Sequence, residues 1–269
     1  MIQPKRKKKS KTSPKVAVKA YNGLKRLFFD IETSYCQGWF WRTGWDISIS
    51  NNQILKPSAI ICICYKWEGE SKVHSLTWNN GDDRQMILEF IDILNDAEET
   101  ITHNGDKFDI RWFRTRCLMH GVRSMPSITS TDTLKIARQK FVLSSNKLND
   151  IGELLGLGGK MDTGGIQLWH DIIQDNNQTS LNKMVKYCKR DVELLEEVYN
   201  SIKGFCTLKT HAGIKLGLGA CSCPSCASPE YSVSKHRVTA SGIKKVQLQC
   251  KSCGSYHTVS EKALLMVNK

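Results

Sequence analysis

The sequence predicts a mixed α/β domain followed by a small cysteine-stapled module. Three observations predict it. Strand-like apolar runs come first and then alternate with amphipathic helical segments. A long stretch near the middle of the chain keeps helical spacing throughout. Five of the eleven cysteines crowd into the last fifty residues.

The elements follow in order. Residues 24–32 read as a strand, and Leu27-Phe28-Phe29 suggests burial on both of its faces. Residues 38–56 are irregular and carry Trp39, Trp41 and Trp45. Residues 59–67 and 72–78 are two more strands, split by a hairpin turn at Glu68-Gly69-Glu70. Residues 83–95 put Met86, Ile87, Phe90, Ile91 and Leu94 at helical spacing, with Asp82 or Asp83 as N-cap. A short strand at 100–102 ends at His103-Asn104-Gly105, and a helix follows over 107–120 with Phe108 as its anchor in the core. Residues 127–130 form a further strand. Leu148, Ile151, Leu154 and Leu155 mark a short helix closed by Gly156, and Gly158-Gly159 and Gly164-Gly165 flank a flexible loop. Residues 179–203 form a long helix with Leu181, Met184, Val185, Cys188, Val192, Leu195, Val198 and Tyr199 inward.

The expected organisation is a basic arm over 1–22, an α/β domain over 23–205, a linker with three glycines over 206–219 and the cysteine module over 220–269. A hydrophobic fraction of 40% and a charged fraction of 24% exclude a disordered or fibrous chain. The longest clean apolar run, 59–65, is far below the roughly 20 residues that span a bilayer. No apolar stretch follows the basic N-terminus, so the expected compartment is cytoplasmic (host cytoplasm for a viral chain) or nuclear, and the thiols reduced. Cys36, Cys62, Cys64, Cys117, Cys188 and Cys206 read as buried thiols.

Charge is unevenly spread. The net +13 divides into +8 over residues 1–20, −2 over 21–205 and +7 over 206–269. Two basic ends on a near-neutral body favour a nucleic-acid backbone through counterion release, with solubility or another acidic partner as the alternatives.

Asp30-Ile31-Glu32 ends the first strand, and i and i+2 share a face. Two acids at the end of a buried strand repel one another and resist desolvation, and a divalent cation resolves both costs. A solvated strand end is the alternative for the pair alone. Asp109 falls on the first turns of the helix after Asn104-Gly105, where Asp106 is either a second acid of the site or an N-cap. Tyr187 and Asp191 stand at i and i+4 on the long helix.

Phe29-Asp30-Ile31-Glu32-Thr33, Asn104-Gly105-Asp106-Lys107-Phe108-Asp109 and Tyr187-Cys188-Lys189-Arg190-Asp191 together resemble the three motifs of the DEDD exonuclease superfamily. They look most like the proofreading domains of family B DNA polymerases and their stand-alone phage and microbial relatives. The tyrosine four residues before Asp191 resembles the tyrosine subgroup, for the histidine subgroup needs histidine where Lys186 stands. The resemblance spans residues 24–204 and implies a ribonuclease H-like mixed sheet flanked by helices. It implies 3′→5′ hydrolysis of nucleic acid, single-stranded DNA foremost, with two Mg²⁺ or Mn²⁺ ions. Asp30, Glu32 and Asp191 would hold the ion that activates water, Asp30 and Asp109 the second, and Tyr187 would orient the water. RNA-directed exonucleolysis, structure-specific endonucleolysis and non-catalytic nucleic-acid binding stay open as alternatives. No polymerase domain is expected to follow. A free-standing nuclease, or one acting with a separate polymerase or helicase, is therefore expected, with no membrane partner. Trp39, Trp41 and Trp45 either stack on single-stranded bases or pack into the fold.

Cys223-Pro224-Ser225-Cys226 and Cys250-Lys251-Ser252-Cys253 are two CxxC pairs, with strands expected at 231–233 and 246–248 between them. This spacing resembles a zinc ribbon, with one structural zinc on four thiolates. Cys221 could exchange with Cys223, and His257 reads as a surface residue. Lys235, Arg237, Lys244, Lys245 and Lys251 make this module basic.

Overall fold

The computed structural model describes residues 24–159 and 164–267. The basic arm over 1–22 and the middle of the glycine-flanked loop, 160–163, lie outside the described residues.

Strand β1 (Arg26–Thr33) is the centre of a five-stranded mixed sheet. Its Leu27, Phe28, Phe29 and Ile31 are all buried, as a run apolar on both faces requires. Two very short strands, β2 (Gln37–Gly38) and β3 (Ile54–Lys56), pair with each other outside this sheet. Next come β4 (Ile60–Trp67) and β5 (His74–Thr77), the predicted hairpin, antiparallel to one another; β4 is also antiparallel to β1. Helix α1 (Arg84–Asp96) then crosses over to β6 (Glu99–Thr102), and α2 (Asp109–Met119) to β7 (Ser130–Asp132). Both crossovers yield parallel pairs, β1 with β6 and β6 with β7. The sheet order is β5-β4-β1-β6-β7.

Four more helices follow: α3 (Thr133–Lys140), α4 (Leu148–Leu154), α5 (Ile166–Ile173) and the long α6 (Gln178–Ile202). Phe29 meets Phe90 of α1 edge-on at 5.2 Å, and Phe90 meets Phe113 of α2 at 5.2 Å, which covers one face. Phe28 meets Tyr199 of α6 at 5.5 Å on the other. At the start of β1 the buried Arg26 donates its Nε to Glu99 and its Nη1 to Glu68, both at 2.9 Å, so an ion network pins the sheet centre, while its Nη2 is buried without a hydrogen-bond partner.

Several expectations shift. The strand expected at 127–130 forms at Ser130–Asp132, because pairing with β6 selects the register Thr100↔Ser130 and Thr102↔Asp132. Helices α3 and α5 were not expected. Each is eight residues, two turns; α3 is defined by its cap, Asp132 accepting from the Leu134 amide at 3.0 Å. At α1, Asp83 occupies the cap position but its side chain bonds Arg116, His120 and the Ile60 amide instead, while Asp82 accepts from the Arg84 amide at 2.9 Å. Phe108 is exposed and lies edge-on to Trp112, not in the core; the helix starts at Asp109, two residues later than expected, with Phe108 at its cap position and Asp109, Ile110 and Phe113 turned inward. Of the six scattered cysteines, Cys62, Cys64, Cys117 and Cys188 are buried, but Cys36 is exposed and Cys206 half-buried.

The segment over 206–219 carries a four-residue helix, α7 (Ala212–Lys215). Thr210 donates to Glu99 at 2.7 Å and the Ala212 amide to the Pro224 carbonyl at 3.0 Å, so this stretch is bonded at both ends. Beyond it, β8 (Tyr231–Val238), β9 (Lys244–Cys250) and β10 (Tyr256–Ser260) form an antiparallel sheet, closed by α8 (Glu261–Val267). Its core is four buried residues, Cys221, Val246, Leu248 and Val259. Among the described residues no helix is long and apolar enough to cross a membrane.

Candidate active site

Alternation along β1 decides where the acids point. Phe28, Asp30 and Glu32 share the face under α6, while Leu27, Phe29 and Ile31 face α1 and α2. On α6, Tyr187 and Asp191 are one turn apart and look back at β1. The carboxylate oxygens of Asp30, Glu32 and Asp191 lie within 4.8 Å of one another. The Tyr187 hydroxyl, largely buried, is hydrogen-bonded to Asp191. Burial first, then the Asp191 charge, raises the Tyr187 pKa far above the ordinary phenol range.

Asp109 is not in this close set. It is buried at the first turn of α2, and its Oδ1 accepts from the Ile31 amide at 3.2 Å, on the strand between the two acids. Burial pushes its pKa up to about 7. Burial and then the charges of Asp109, Glu32 and Asp191 hold Asp30 well above the carboxylate range. Four acids thus converge where like charge is costly, and a divalent cation offsets that cost. The donors of the close set are all carboxylate oxygens, which suits a hard ion such as Mg²⁺ or Mn²⁺.

The turn that positions Asp109 depends on a close approach. A Cβ on Gly105 would stand 2.2 Å from Thr102 Oγ1, so only glycine fits there. Asn104 takes φ +67° and donates its amide to Asp132 at 2.9 Å. Asp132, which sequence reasoning missed, ties the ends of β6 and β7 together while capping α3. Asp106 accepts from Ser130 at 2.6 Å and Lys135 at 2.5 Å and stands outside the carboxylate group.

A cleft of about 830 Å³ opens beside Asp30 and Asp191 and is also lined by His103, Asn104, Arg138 and Lys147. The His103 ring is fixed by Thr133 Oγ1 at 2.8 Å and the Asn146 carbonyl at 3.0 Å. Arg138 and Lys147 were missed as well, since they reach the cleft only through α3 and the start of α4. Across β4, Cys64 and Cys62 stand opposite Asp30 and Glu32, and with Cys188 they form a fully buried thiol layer behind the acids. Trp39, Trp41 and Trp45 are 67%, 99% and 98% exposed, so they do not pack into the fold.

The thiols of Cys223, Cys226, Cys250 and Cys253 form a second group. Cys223 and Cys253 are 3.5 Å apart and Cys226 and Cys250 3.6 Å. Four sulfurs about 2.3 Å from a tetrahedral zinc stand roughly 3.8 Å from each other, so the donor set fits that ion. The Ser225 amide donates to Cys223 Sγ at 3.4 Å, and Ser255 bonds Cys253 and holds its thiol down at about 7 against the effect of burial. Cys221 is buried in the small core and outside the group, and His257 contacts its carbonyl at 3.3 Å.

Comparison with known proteins agrees with this architecture. Stretches of 111 residues resemble the DNA polymerases of Thermococcus hydrothermalis (32% identical), Thermococcus litoralis (34%) and Desulfurococcus sp. strain Tok (31%). Each match takes in 37% of this chain, which spans only 6% of the two Thermococcus polymerases and 12% of the Desulfurococcus one. Residues 55–203, more than half of the chain and all of β4 through α6, match the RNase H superfamily. The mixed sheet order, the helices on both its faces and that match together make this chain a member of the RNase H superfamily.

Proposed function

We propose that the chain is a metal-dependent nuclease of the tyrosine DEDD subgroup, hydrolysing single-stranded DNA in the 3′→5′ direction. The observation that carries this reading is the close set of Asp30, Glu32 and Asp191, with Tyr187 bonded to Asp191. Asp30, Glu32 and Asp191 would hold one divalent ion, and Asp30 and Asp109 a second. Bound there, the two ions supply an activated water and stabilise the leaving oxygen. Burial and the Asp191 charge favour the protonated Tyr187, whose proton is donated in a hydrogen bond to Asp191, and its hydroxyl oxygen would accept from the attacking water and so orient it. His103, held at both ring nitrogens, and Arg138 and Lys147 across the cleft give the scissile strand a polar, cationic wall.

The direction and the preference for a single strand rest on the likeness of the three motifs to polymerase proofreading domains. The domain reading is a nuclease unit over 23–205 and a zinc ribbon over 220–269, in which Cys223, Cys226, Cys250 and Cys253 would hold one structural zinc.

The test is digestion of an end-labelled linear strand and a circular strand, each as DNA and as RNA, with Mg²⁺ or Mn²⁺. Mononucleotides released from the 3′ end of linear DNA, with the circle intact, are expected. Cleavage of the circle would replace exonuclease with endonuclease, and hydrolysis of RNA alone would reassign the substrate. No hydrolysis of any of the four would overturn the reading.

A further inference from the structure

Register sorts the side chains of the C-terminal sheet into two faces. Val246, Leu248 and Val259 point inward beneath Ala263 and Leu264 of α8. The other face is three rows of three. Ser232, Gln249 and Tyr256 stand abreast, then Lys235, Gln247 and Thr258, then Arg237, Lys245 and Ser260. No acid stands on it. Arg237 and Lys245 lie directly opposite each other, a like-charge pair that costs stability unless an anion relieves it. Among the described residues Lys235, Arg237 and Lys245 make no ion pair, whereas the neighbouring Lys244 reaches Glu261 at 3.6 Å. Lys235 and Arg237 follow one another on β8 about 6.8 Å apart, two residues of strand rise. Tyr256, at the end of the face, is 55% exposed.

We propose that this face binds the backbone of a nucleic-acid strand, its three cations on phosphates and Tyr256 against a base, as a site distinct from the carboxylate cluster. The chemistry selects this occupant. Three unneutralised cations with amide and hydroxyl groups between them match a line of phosphates. The face carries no aliphatic side chain, so it offers nothing to an apolar partner surface. One exposed aromatic at the edge suits stacking on any base. Binding is therefore insensitive to sequence. The inference rests on the reading that the chain acts on nucleic acid.

The experiment uses the full, zinc-loaded chain carrying Asp191→Asn, so that a labelled single-stranded oligodeoxynucleotide is bound and not consumed. Affinity is measured against salt with and without Lys235→Gln, Arg237→Gln and Lys245→Gln together. Removing three phosphate contacts should make the slope of log affinity against log salt shallower by about 2, equally for all sequences. Lys245→Gln alone should shift it by about 0.7. Tyr256→Leu should lower affinity with the slope unchanged. Zinc content and the thermal transition, unaltered in each variant, certify the fold. An unchanged slope and affinity in the triple variant would overturn the proposal. So would a loss confined to binding of anionic lipid vesicles, which would assign the face to a membrane surface. Failure of the chain to hydrolyse DNA would sink the nuclease reading and leave the binding result standing; unchanged binding sinks this one and leaves hydrolysis standing.

Discussion

The carboxylates of Asp30, Glu32 and Asp191 stand on a strand and a helix that are locked into an extended apolar core, whereas the thiols of Cys223, Cys226, Cys250 and Cys253 stand on two turns above four buried residues. In the first region the fold holds the donors together against their mutual repulsion. In the second the donors have little fold to hold them. The first group should keep its geometry without metal and use metal for chemistry. The second should depend on metal for its geometry. A cation on oxygen and a cation on sulfur would then differ in the direction of dependence as well as in ligand softness.

The largest expected effect breaks the second region alone. Removing zinc, or changing Cys226 and Cys253 to Ser, forfeits a binding energy of roughly 10–16 kcal/mol, far more than so small a core supplies. Amide hydrogen exchange should accelerate across β8, β9 and β10 while the amides of β1, β4 and α6 stay protected. Elemental analysis of metal-replete protein should find one zinc per chain. Zinc-free protein with protected ribbon amides would reverse the comparison.

Asp191→Asn probes the first region. Hydrolysis should fall by about 10³ or more, the scale lost with a single electrostatic group at a reacting centre. The thermal transition of metal-free protein should not fall, because one of several converging charges is gone. A collapsed transition would mean that Asp191 supports the fold.

Asp109 gives the same contrast a pH dependence. Its pKa is about 7 in the folded chain against an ordinary 3.8. The folded state therefore binds the proton more tightly, and stability falls as pH rises from about 4 to about 7, then levels. Asp30 shifts in the same direction. Thermal melts of metal-free protein across that window should show the decline, Asp109→Asn should make it shallower and leave the Asp30 contribution, and Mg²⁺ should restore stability at its upper end. A transition that rises with pH over this window would contradict the assignment.

How much of this could be read from the chain alone depended on range. Asp30 and Glu32 were legible as a pair because alternation is local to one strand, and Tyr187 and Asp191 because i and i+4 are local to one helix. The mixed sheet was legible because three apolar runs precede the alternation of helix and strand. Asp132, Arg138 and Lys147 were not legible. Each acquires its position from β7 pairing with β6 or from two-turn helices packing near the acids, which no local period encodes. Gly105 falls between: the Asn-Gly turn is visible, but the 2.2 Å approach to Thr102 is not. Gly105→Ala should cost about 1–3 kcal/mol and reduce hydrolysis through displacement of Asp109. Denaturant unfolding beside turnover measures both, and an unperturbed variant would show that the turn has room to shift.

The smallest effect compares the two cysteine turns with each other. The residue after each CxxC pair has left-handed backbone, Ala227 at φ +60° and Gly254 at φ +74°. Each donates its amide to the carbonyl of the first cysteine, at 2.9 Å from Ala227 to Cys223 and 3.0 Å from Gly254 to Cys250. The two turns therefore share a geometry but not a residue. A Cβ in this conformation costs roughly 1–2 kcal/mol. Gly254→Ala should weaken the ribbon by about that amount, since nothing lies near its Cβ to compensate. Ala227→Gly relieves the same strain but also removes the methyl of a residue that is only 5% exposed, worth about 0.8 kcal/mol of burial, and adds freedom to the unfolded chain. Its effect should be near zero, and in any case smaller than that of Gly254→Ala. The measurement is the chelator concentration that extracts half of the zinc from each variant. If Ala227→Gly shifts that midpoint as far as Gly254→Ala does in the opposite direction, the Ala227 methyl contributes no packing and strain alone separates the two turns.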